Sequence, residues 1–265
     1  MRLIDFHAHV YPAAIALKAT QSICDFYDIR SGNVGTPEEK LALDNAFGIE
    51  KTLLLPVSMS PKNTKAVNEF VLSLSKADPR FIPFGTVHPA DEDLPALAES
   101  LFRAGHIGVK LHPDMQQCNA DDPRLLPLYD YMQGRMPLYL HAGDPRHPFS
   151  HPARIKKIMD MFPRLTVVAA HMGGWSVQDY ALPLLREKEN CIVDTSSSLS
   201  NMTADYALRL IRAYGSERVF FGTAYPVGNV ETEVRLLESL PLSDDEKERI
   251  AFCNAQRFFA EVGAD

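Results

Sequence analysis

The sequence predicts an α/β fold, a single (β/α)₈ barrel over residues 1–265, from its length and from the alternation of strands with helices. The chain has 265 residues, and a barrel of this type needs roughly 250. Short apolar runs alternate eight times with helix-length segments, which is the pattern of a parallel sheet covered by helices. An open, doubly wound sheet is the alternative, but a closed barrel explains eight units better.

Eight short runs rich in β-branched and aromatic residues are the candidate strands. In chain order they are Leu3–Val10, Thr52–Val57, Phe81–Val87, Ile107–Leu111, Leu138–His141, Leu165–Ala170, Cys191–Thr195 and Val219–Gly222. Apolar residues recur at helical spacing between them, and capping boxes at 36–39 and 243–246 begin two predicted helices. The long segments Tyr11–Gly35 and Asp114–Arg124 are predicted loops on one face. The first is expected to add a short helix and a flap over the barrel mouth.

Composition and charge exclude several classes of function. The net charge is −7 and no block of Lys or Arg stands out, so nucleic acid is not an expected partner. No stretch approaches the roughly 18 apolar residues of a membrane-spanning helix, and the N-terminus does not resemble a secretory signal. The four cysteines form no CxxC pair, which argues against a disulfide framework or a structural zinc site. We expect a cytoplasmic protein that acts on a small molecule, and a homodimer only because dimers are common.

The first predicted strand ends in two histidines, His7 and His9. Side chains alternate along a strand, so residues two apart share a face. Both imidazoles can then point into the barrel mouth, where active sites of this fold lie, and hold one cation. The alternative is two unrelated histidines near a chain start. Further histidines at later strand ends favour the metal site.

Three more strand ends carry candidate functional residues. His141 ends the fifth predicted strand and His171 the sixth, each followed by small residues that leave room for a ligand. Lys110 and His112 share a face at the end of the fourth. A lysine pointing into a barrel is costly unless it is paired or modified. It could bind a substrate carboxylate, be carboxylated to bridge two metal ions, or pair with Asp5 or Asp194.

This set of residues indicates a metal-assisted reaction. Three neutral imidazoles and a water form a zinc site with an open position, and a nearby base must then move a proton. His171 is the candidate base, since it lies one strand away from His141. Candidates for holding an anionic group of the substrate are Lys110, His112, Arg146 and His147. His88, His147 and His151 are predicted to lie at the rim rather than to bind metal, and His106 to be structural.

The motifs resemble those of the amidohydrolase superfamily, most closely the branch with aminocarboxymuconate-semialdehyde decarboxylase and γ-resorcylate decarboxylase. The matching segments are 4–9 (IDFHAH), 108–113 (GVKLHP), 171–174 (HMGG), 193–196 (VDTS) and 254–259 (NAQRFF), together with His141. The resemblance implies that His7, His9 and His141 bind a divalent metal, with zinc expected first and manganese second. It implies that His171 acts on the substrate or on metal-bound water.

One position departs from this pattern. The family has an aspartate after the eighth strand, in a segment like GTDYP, which binds the metal and moves the proton of the attacking water. This chain reads Gly222-Thr223-Ala224-Tyr225-Pro226, and alanine can do neither. We therefore expect impaired activity and weaker metal binding. Two explanations fit: an engineered, inactive variant, favoured because the flanking residues keep the pattern, or a natural change of chemistry.

The leading hypothesis is a metal-dependent hydrolase that attacks a C–N or C–O bond of a small amide, lactone or other ester. The alternative is a metal-dependent, non-oxidative decarboxylase of an aromatic or unsaturated carboxylic acid, which the resemblance supports directly. One fold supports many chemistries, so the barrel motifs do not decide between them. A third hypothesis is a non-catalytic protein that binds a ligand without turning it over.

Overall fold

The computed structural model describes residues 1–264 and contains nine short parallel strands in chain order. They are β1 (Leu3–Ala8), β2 (Ile49–Leu54), β3 (Phe81–Pro83), β4 (Gly85–Thr86), β5 (Val109–Leu111), β6 (Leu138–Leu140), β7 (Val167–Ala169), β8 (Cys191–Asp194) and β9 (Val219–Phe220). Each of the eight predicted runs contains strand residues. The third run is divided, because β3 and β4 are separate strands on either side of Phe84.

Eleven α-helices within the same residues alternate with these strands. They are α1 (Ala16–Tyr27), α2 (Pro37–Phe47), α3 (Pro61–Ala77), α4 (Leu94–Ala104), α5 (Leu126–Met132), α6 (Pro152–Met161), α7 (Gln178–Leu185), α8 (Ala204–Tyr214), α9 (Val230–Ser239), α10 (Asp244–Glu248) and α11 (Asn254–Glu261). A π-helical turn joins α10 to α11. Helix α1 lies within the predicted loop Tyr11–Gly35, as expected. No helix of the described chain combines the length and the apolarity that crossing a membrane requires.

Backbone hydrogen bonds close the strands into a barrel. Strands β1 to β3 form one parallel sheet and β4 to β9 another. Phe84 joins the two sheets, since its N–H donates to Leu54 while the next N–H, of Gly85, donates to Gly108. On the other side, the N–H of Phe6 donates to Phe221 over 2.8 Å. The predicted TIM-type (β/α)₈ barrel is therefore confirmed.

The interior of the barrel is aromatic and is closed at the end where the strands begin. Phe6 contacts Tyr139, Phe220 and Phe258, with ring centroids 4.5–5.9 Å apart. Phe258 belongs to α11, so the C-terminal helix seals this end. The other end stays open, and there the strands deliver polar side chains. This arrangement leaves the predicted active-site face as the accessible mouth.

The two predicted capping boxes differ in outcome. At Ser243 both arms form, because its hydroxyl accepts from the N–H of Glu246 and that carboxylate accepts from Ser243. Thr36 likewise accepts from the N–H of Glu39. The Glu39 carboxylate, however, accepts from the N–H groups of Val34 and Gly35. It thereby ties the loop that precedes α2 to the helix, and the loop is held beside the barrel mouth.

Candidate active site

A cavity of about 750 Å³ opens at the C-terminal ends of the strands. Its polar floor contains the predicted residues His7, His9, Lys110, His112, His141, His171 and Ala224. Its walls are largely apolar, with side chains from α1 such as Ile23 and from α3 such as Val67 and Phe70. The volume is within the usual range for small-molecule sites. The structure therefore brings seven of the nine predicted site residues to one cavity.

Strand β1 places the two histidines of the HxH motif side by side. The Nε2 atoms of His7 and His9 are 3.2 Å apart. The Nδ1 of His9 donates to the carbonyl of Leu55 over 2.5 Å, and the Nδ1 of His7 lies 2.8 Å from the Ser196 hydroxyl. Two imidazoles on one tetrahedral zinc ion at about 2.05 Å have nitrogens about 3.3 Å apart. The donor atoms and their spacing fit a divalent metal ion.

A second pair of imidazoles, those of His141 and His171, lies beside the first. The Nε2 of His171 lies 3.0 Å from the Nδ1 of His141, and the His171 ring is 5.1 Å from the ring of His7. The His141 ring stacks on His112 with centroids 4.0 Å apart. Donor atoms form two groups that could hold an ion, one with His7, His171 and Asp194 and one with His112, Asp114 and His141. The predicted ligands therefore lie in one continuous cluster, although its grouping differs from the predicted set of His7, His9 and His141.

Burial keeps the imidazoles of the cluster neutral. Desolvation is the largest cause that lowers the pKa of His7, His9, His112 and His141. The same cause, with the neighbouring His7, lowers the pKa of His171 to about 3. Neutral imidazole is the form that binds a metal ion. At pH 7 the cluster is ready to bind a cation without releasing protons.

Asp194, at the end of β8, orients the imidazole of His7. One oxygen accepts from the N–H of Ser196 over 2.8 Å. The other accepts from the hydroxyl of Tyr139 and lies 3.3 Å from the Nδ1 of His7. Burial alone would raise the pKa of Asp194, but the adjacent imidazoles of His7 and His171 hold it below its ordinary value. The carboxylate thus fixes the tautomer of His7, as partners of metal-binding histidines commonly do.

Ala224 lies directly beside the HxH motif. Its N–H donates to the carbonyl of His7 over 2.9 Å, and it has a positive φ of 56°. Asp5 holds the segment, because its carboxylate accepts from the N–H and the hydroxyl of Thr223 and pairs with the buried Lys40. A left-handed conformation costs most L-residues roughly 1–2 kcal/mol, but Asp and Asn tolerate it. The backbone at 224 therefore suits the aspartate that the family resemblance expects.

Lys110 is fully buried, and one of the three roles open to it, an ion pair with Asp5 or Asp194, is not formed. Neither Asp5 nor Asp194 pairs with it, and its Nζ has no hydrogen-bond partner among residues 1–264. The Nζ lies 4.5 Å from the centre of the Tyr139 ring. Burial lowers the pKa of Lys110 to about 7. Burial thus favours the neutral amine at Lys110 more than it would at an exposed lysine.

Two predicted anion-binding residues lie outside the lining of the cavity. Arg146 forms an ion pair with Asp144 at 2.7 Å, and His147 stacks on Phe26 with ring centroids 5.3 Å apart. The guanidinium of Arg146 also lies 5.4 Å from the ring of Trp175. These contacts place both residues at the rim, behind aromatic side chains.

The sequence analysis missed several residues that line or support the site. Tyr27 approaches the cluster from α1, with its hydroxyl 2.8 Å from the Nε2 of His112. Trp175, the chain's single tryptophan, and the buried Glu233 also line the cavity. Signals existed for two of them, because Trp175 directly follows the HMGG segment and Glu233 interrupts an apolar helix face. Nothing in the local sequence indicates Tyr27.

Comparison with known proteins identifies the family of this chain. The amidohydrolase family model matches residues 4–260, so the chain belongs to the amidohydrolase family. The fold and the histidine cluster place it among the metal-dependent enzymes of that superfamily.

Among individual relatives, γ-resorcylate decarboxylase from Polaromonas sp. strain JS666 is 22% identical over 301 aligned positions, covering 89% of this chain and 90% of that protein. An uncharacterised TIM-barrel protein from Bordetella bronchiseptica superposes with a TM-score of 0.82 at 22% identity, covering 99% and 100% of the two chains. A 2,6-dihydroxybenzoate decarboxylase in complex with 2,6-dihydroxybenzoate superposes with a TM-score of 0.78 at 18% identity, covering 98% of this chain and 100% of that one. A dihydroxybenzoic acid decarboxylase from Polaromonas sp. JS666, with bound manganese and 2-nitroresorcinol, superposes with a TM-score of 0.75 at 17% identity, covering 98% of this chain and 97% of that one.

Proposed function

We propose that this chain is a metal-dependent, non-oxidative decarboxylase of an aromatic or unsaturated carboxylic acid. The charge of the histidine cluster carries the proposal. Its imidazoles are neutral, and both carboxylate oxygens of Asp194 are used in hydrogen bonds. At position 224 the side chain is a methyl group. A divalent cation held by these neutral imidazoles would place positive charge where a substrate carboxylate can reach it, which favours an acid over a neutral ester, lactone or amide.

The substitution at 224 also penalises hydrolysis more than decarboxylation. Hydrolysis needs a base that removes a proton from the attacking water. Decarboxylation needs a proton that replaces CO₂, and it needs no activated water. The apolar walls around Val67 and Phe70 suit the ring of an aromatic acid. Two of the relatives named above, γ-resorcylate decarboxylase and 2,6-dihydroxybenzoate decarboxylase, are decarboxylases of aromatic acids, which supports the same choice.

In this proposal His7, His9 and His141 hold the divalent ion. The ion supplies electrostatic stabilisation of the substrate carboxylate and a neighbouring oxygen. Imidazole donors suit zinc, and manganese is the second candidate because one Polaromonas relative binds it. His171, whose Nδ1–H donates to the carbonyl of Ser196, presents an unprotonated Nε2 to the cluster, where it can take up a proton and pass it to the substrate. Lys110 and His112 contact the acid, while the anion-binding roles of Arg146 and His147 stay predictions.

Hydrolysis of a small amide, lactone or other ester is the second candidate. Its supporting observation is His171, whose Nε2 lies 3.0 Å from His141, where a neutral imidazole can take a proton from water.

A one-domain organisation over 1–265, a cytoplasmic location and a homodimer stay predictions.

Product analysis separates these functions. The metal-loaded protein and its Ala224→Asp variant are incubated with 2,6-dihydroxybenzoate and related acids, and released CO₂ is measured. Esters, lactones and amides are assayed in parallel for acid release. We expect metal-dependent CO₂ release that is faster in Ala224→Asp, lost in His141→Gln and retained in His88→Gln, a rim variant. Acid release without CO₂ release would favour the hydrolase. Binding without turnover in both proteins would favour the non-catalytic protein.

A further inference from the structure

Helix α9 delivers a buried carboxyl group to the cavity. Glu233 lies in the first turns of α9, whose N-terminus is capped by Asn229. Its side chain is 1% exposed, and it lines the same cavity as His7, His171 and Ala224. An acidic residue this deeply buried is unusual unless it is paired or protonated. The contacts of Glu233 distinguish these two states.

Only one oxygen of this carboxyl group is satisfied. Oε1 accepts from the Ser200 hydroxyl over 2.6 Å, whereas Oε2 has no hydrogen-bond partner among the described residues. An ionised oxygen left buried and unpaired costs several kcal/mol. A protonated carboxyl instead has an O–H that can donate to a ligand. The geometry therefore favours a protonated carboxyl at the edge of the cavity.

The charges around Glu233 act in the same direction. The pKa of Glu233 is raised to about 7, mainly by burial and to a smaller extent by the carboxylates of Asp5 and Asp194. The hydrogen bond from Ser200 lowers it. Helix α2, which packs on α9, carries the cation Lys40, but that ammonium is paired with Asp5 and Asp44. No lysine or arginine within residues 1–264 forms an ion pair with Glu233 in the structure.

We propose that Glu233 binds an anionic oxygen of the ligand as a protonated carboxyl group, so that ligand binding takes up a proton from solvent. The inference rests on the proposed function, because it takes the ligand to be a carboxylic acid. No covalent bond of the ligand forms or breaks in this step. The carboxylate of Glu233 gains one proton, and its O–H donates to a carboxylate or phenolate oxygen. Glu233 thereby makes the site selective for acids, although it forms no ion pair with them.

Proton uptake on binding tests the inference without measuring turnover. The metal-loaded protein is titrated with 2,6-dihydroxybenzoate, and binding is followed by the fluorescence of Trp175 and by calorimetry in buffers of different ionisation enthalpy. We expect uptake of a fraction of a proton near neutral pH, and a Kd that rises about tenfold for each pH unit above the pKa of Glu233. Glu233→Gln, which keeps the shape and a donor, should remove the part of both effects that Glu233 contributes.

Matched variants exclude other sources of the pH dependence. Glu231→Gln removes an exposed carboxylate of the same helix and should behave like the parent chain. Ser200→Ala removes the bond that lowers the pKa and should shift the midpoint upward. Lys110 titrates in the same range, so Lys110→Met is the comparison. If proton uptake is unchanged in Glu233→Gln but lost in Lys110→Met, the inference about Glu233 is overturned while the proposed function stands. Failure of every protein to bind the acid would overturn the proposed function together with it.

Discussion

Ala224→Asp should strengthen metal binding, because it places a carboxylate beside the HxH motif on a backbone already shaped for it. The N–H of residue 224 is bonded to His7, and the N–H of His9 is bonded to Tyr225. At about 4 Å and an effective dielectric constant of about 20, a carboxylate attracts a divalent cation by about 8 kcal/mol, twice the value for two unit charges. Desolvation costs several kcal/mol. We expect a net gain of about 1.5–4 kcal/mol, or roughly 10- to 1,000-fold in affinity.

Competition with a chelator, followed by elemental analysis, measures this gain. Ala224→Asn is the matched control, because asparagine has the shape of aspartate and tolerates positive φ but carries no charge. Ala224→Gly tests the backbone alone and should change stability without strengthening metal binding. Equal zinc affinity in the Asp and Asn variants would show that charge at 224 does not act on the cluster. If neither the parent nor Ala224→Asp holds metal at neutral pH, the metal site itself is refuted.

Three further predictions concern the support of the site and the far end of the barrel. Asp194→Asn should reduce zinc affinity about 10- to 100-fold in the same chelator assay, since it disturbs the orientation of His7. Lys40→Met leaves the buried Asp5 without its cation and should lower the free energy of unfolding in urea by about 3–5 kcal/mol. Burial lowers the pKa of His106 to about 4, so the unfolded chain binds a proton that the folded chain does not as pH falls below about 6.5. Stability should then fall by up to about 3 kcal/mol towards pH 4, and His106→Leu should flatten that dependence in unfolding experiments at pH 7 and 4.5.

The strands were predictable because barrel strands are short and apolar on both faces. The exact residues at which they end were not predictable. The predicted run Leu3–Val10 extends beyond β1, which ends at Ala8, because composition does not show where backbone pairing stops. The third run appeared continuous, yet Phe84 shifts its hydrogen bond from one neighbouring strand to the other. Such a change of partner depends on how two sheets meet, and no local pattern carries that information.

The functional face was predictable because histidines recur at strand ends, whereas the partners of those histidines come from distant segments. The Nδ1 atom of His7 contacts Ser196, 189 positions along the chain. Arg146 shows a different difficulty. An ion pair with Asp144, two residues earlier, was possible from the sequence alone, but only the structure shows that this pair and Trp175 hold the guanidinium at the rim.

Backbone strain points to the same end of the barrel without any family resemblance. Seven residues other than glycine have a positive φ within residues 1–264. Five of them, His171, Met172, Ser176, Ser197 and Ala224, follow the last three strands, at the end of the barrel where the cavity opens. Left-handed residues are costly and persist where the surrounding structure holds them for a purpose. The N–H groups of Thr223 and Ser196 donate to the carboxylates of Asp5 and Asp194, and these bonds hold the segments that contain Ala224 and Ser197. The fold therefore retains a costly scaffold around position 224 although its side chain is only a methyl group, which is expected if the scaffold serves a ligand and a metal ion rather than packing.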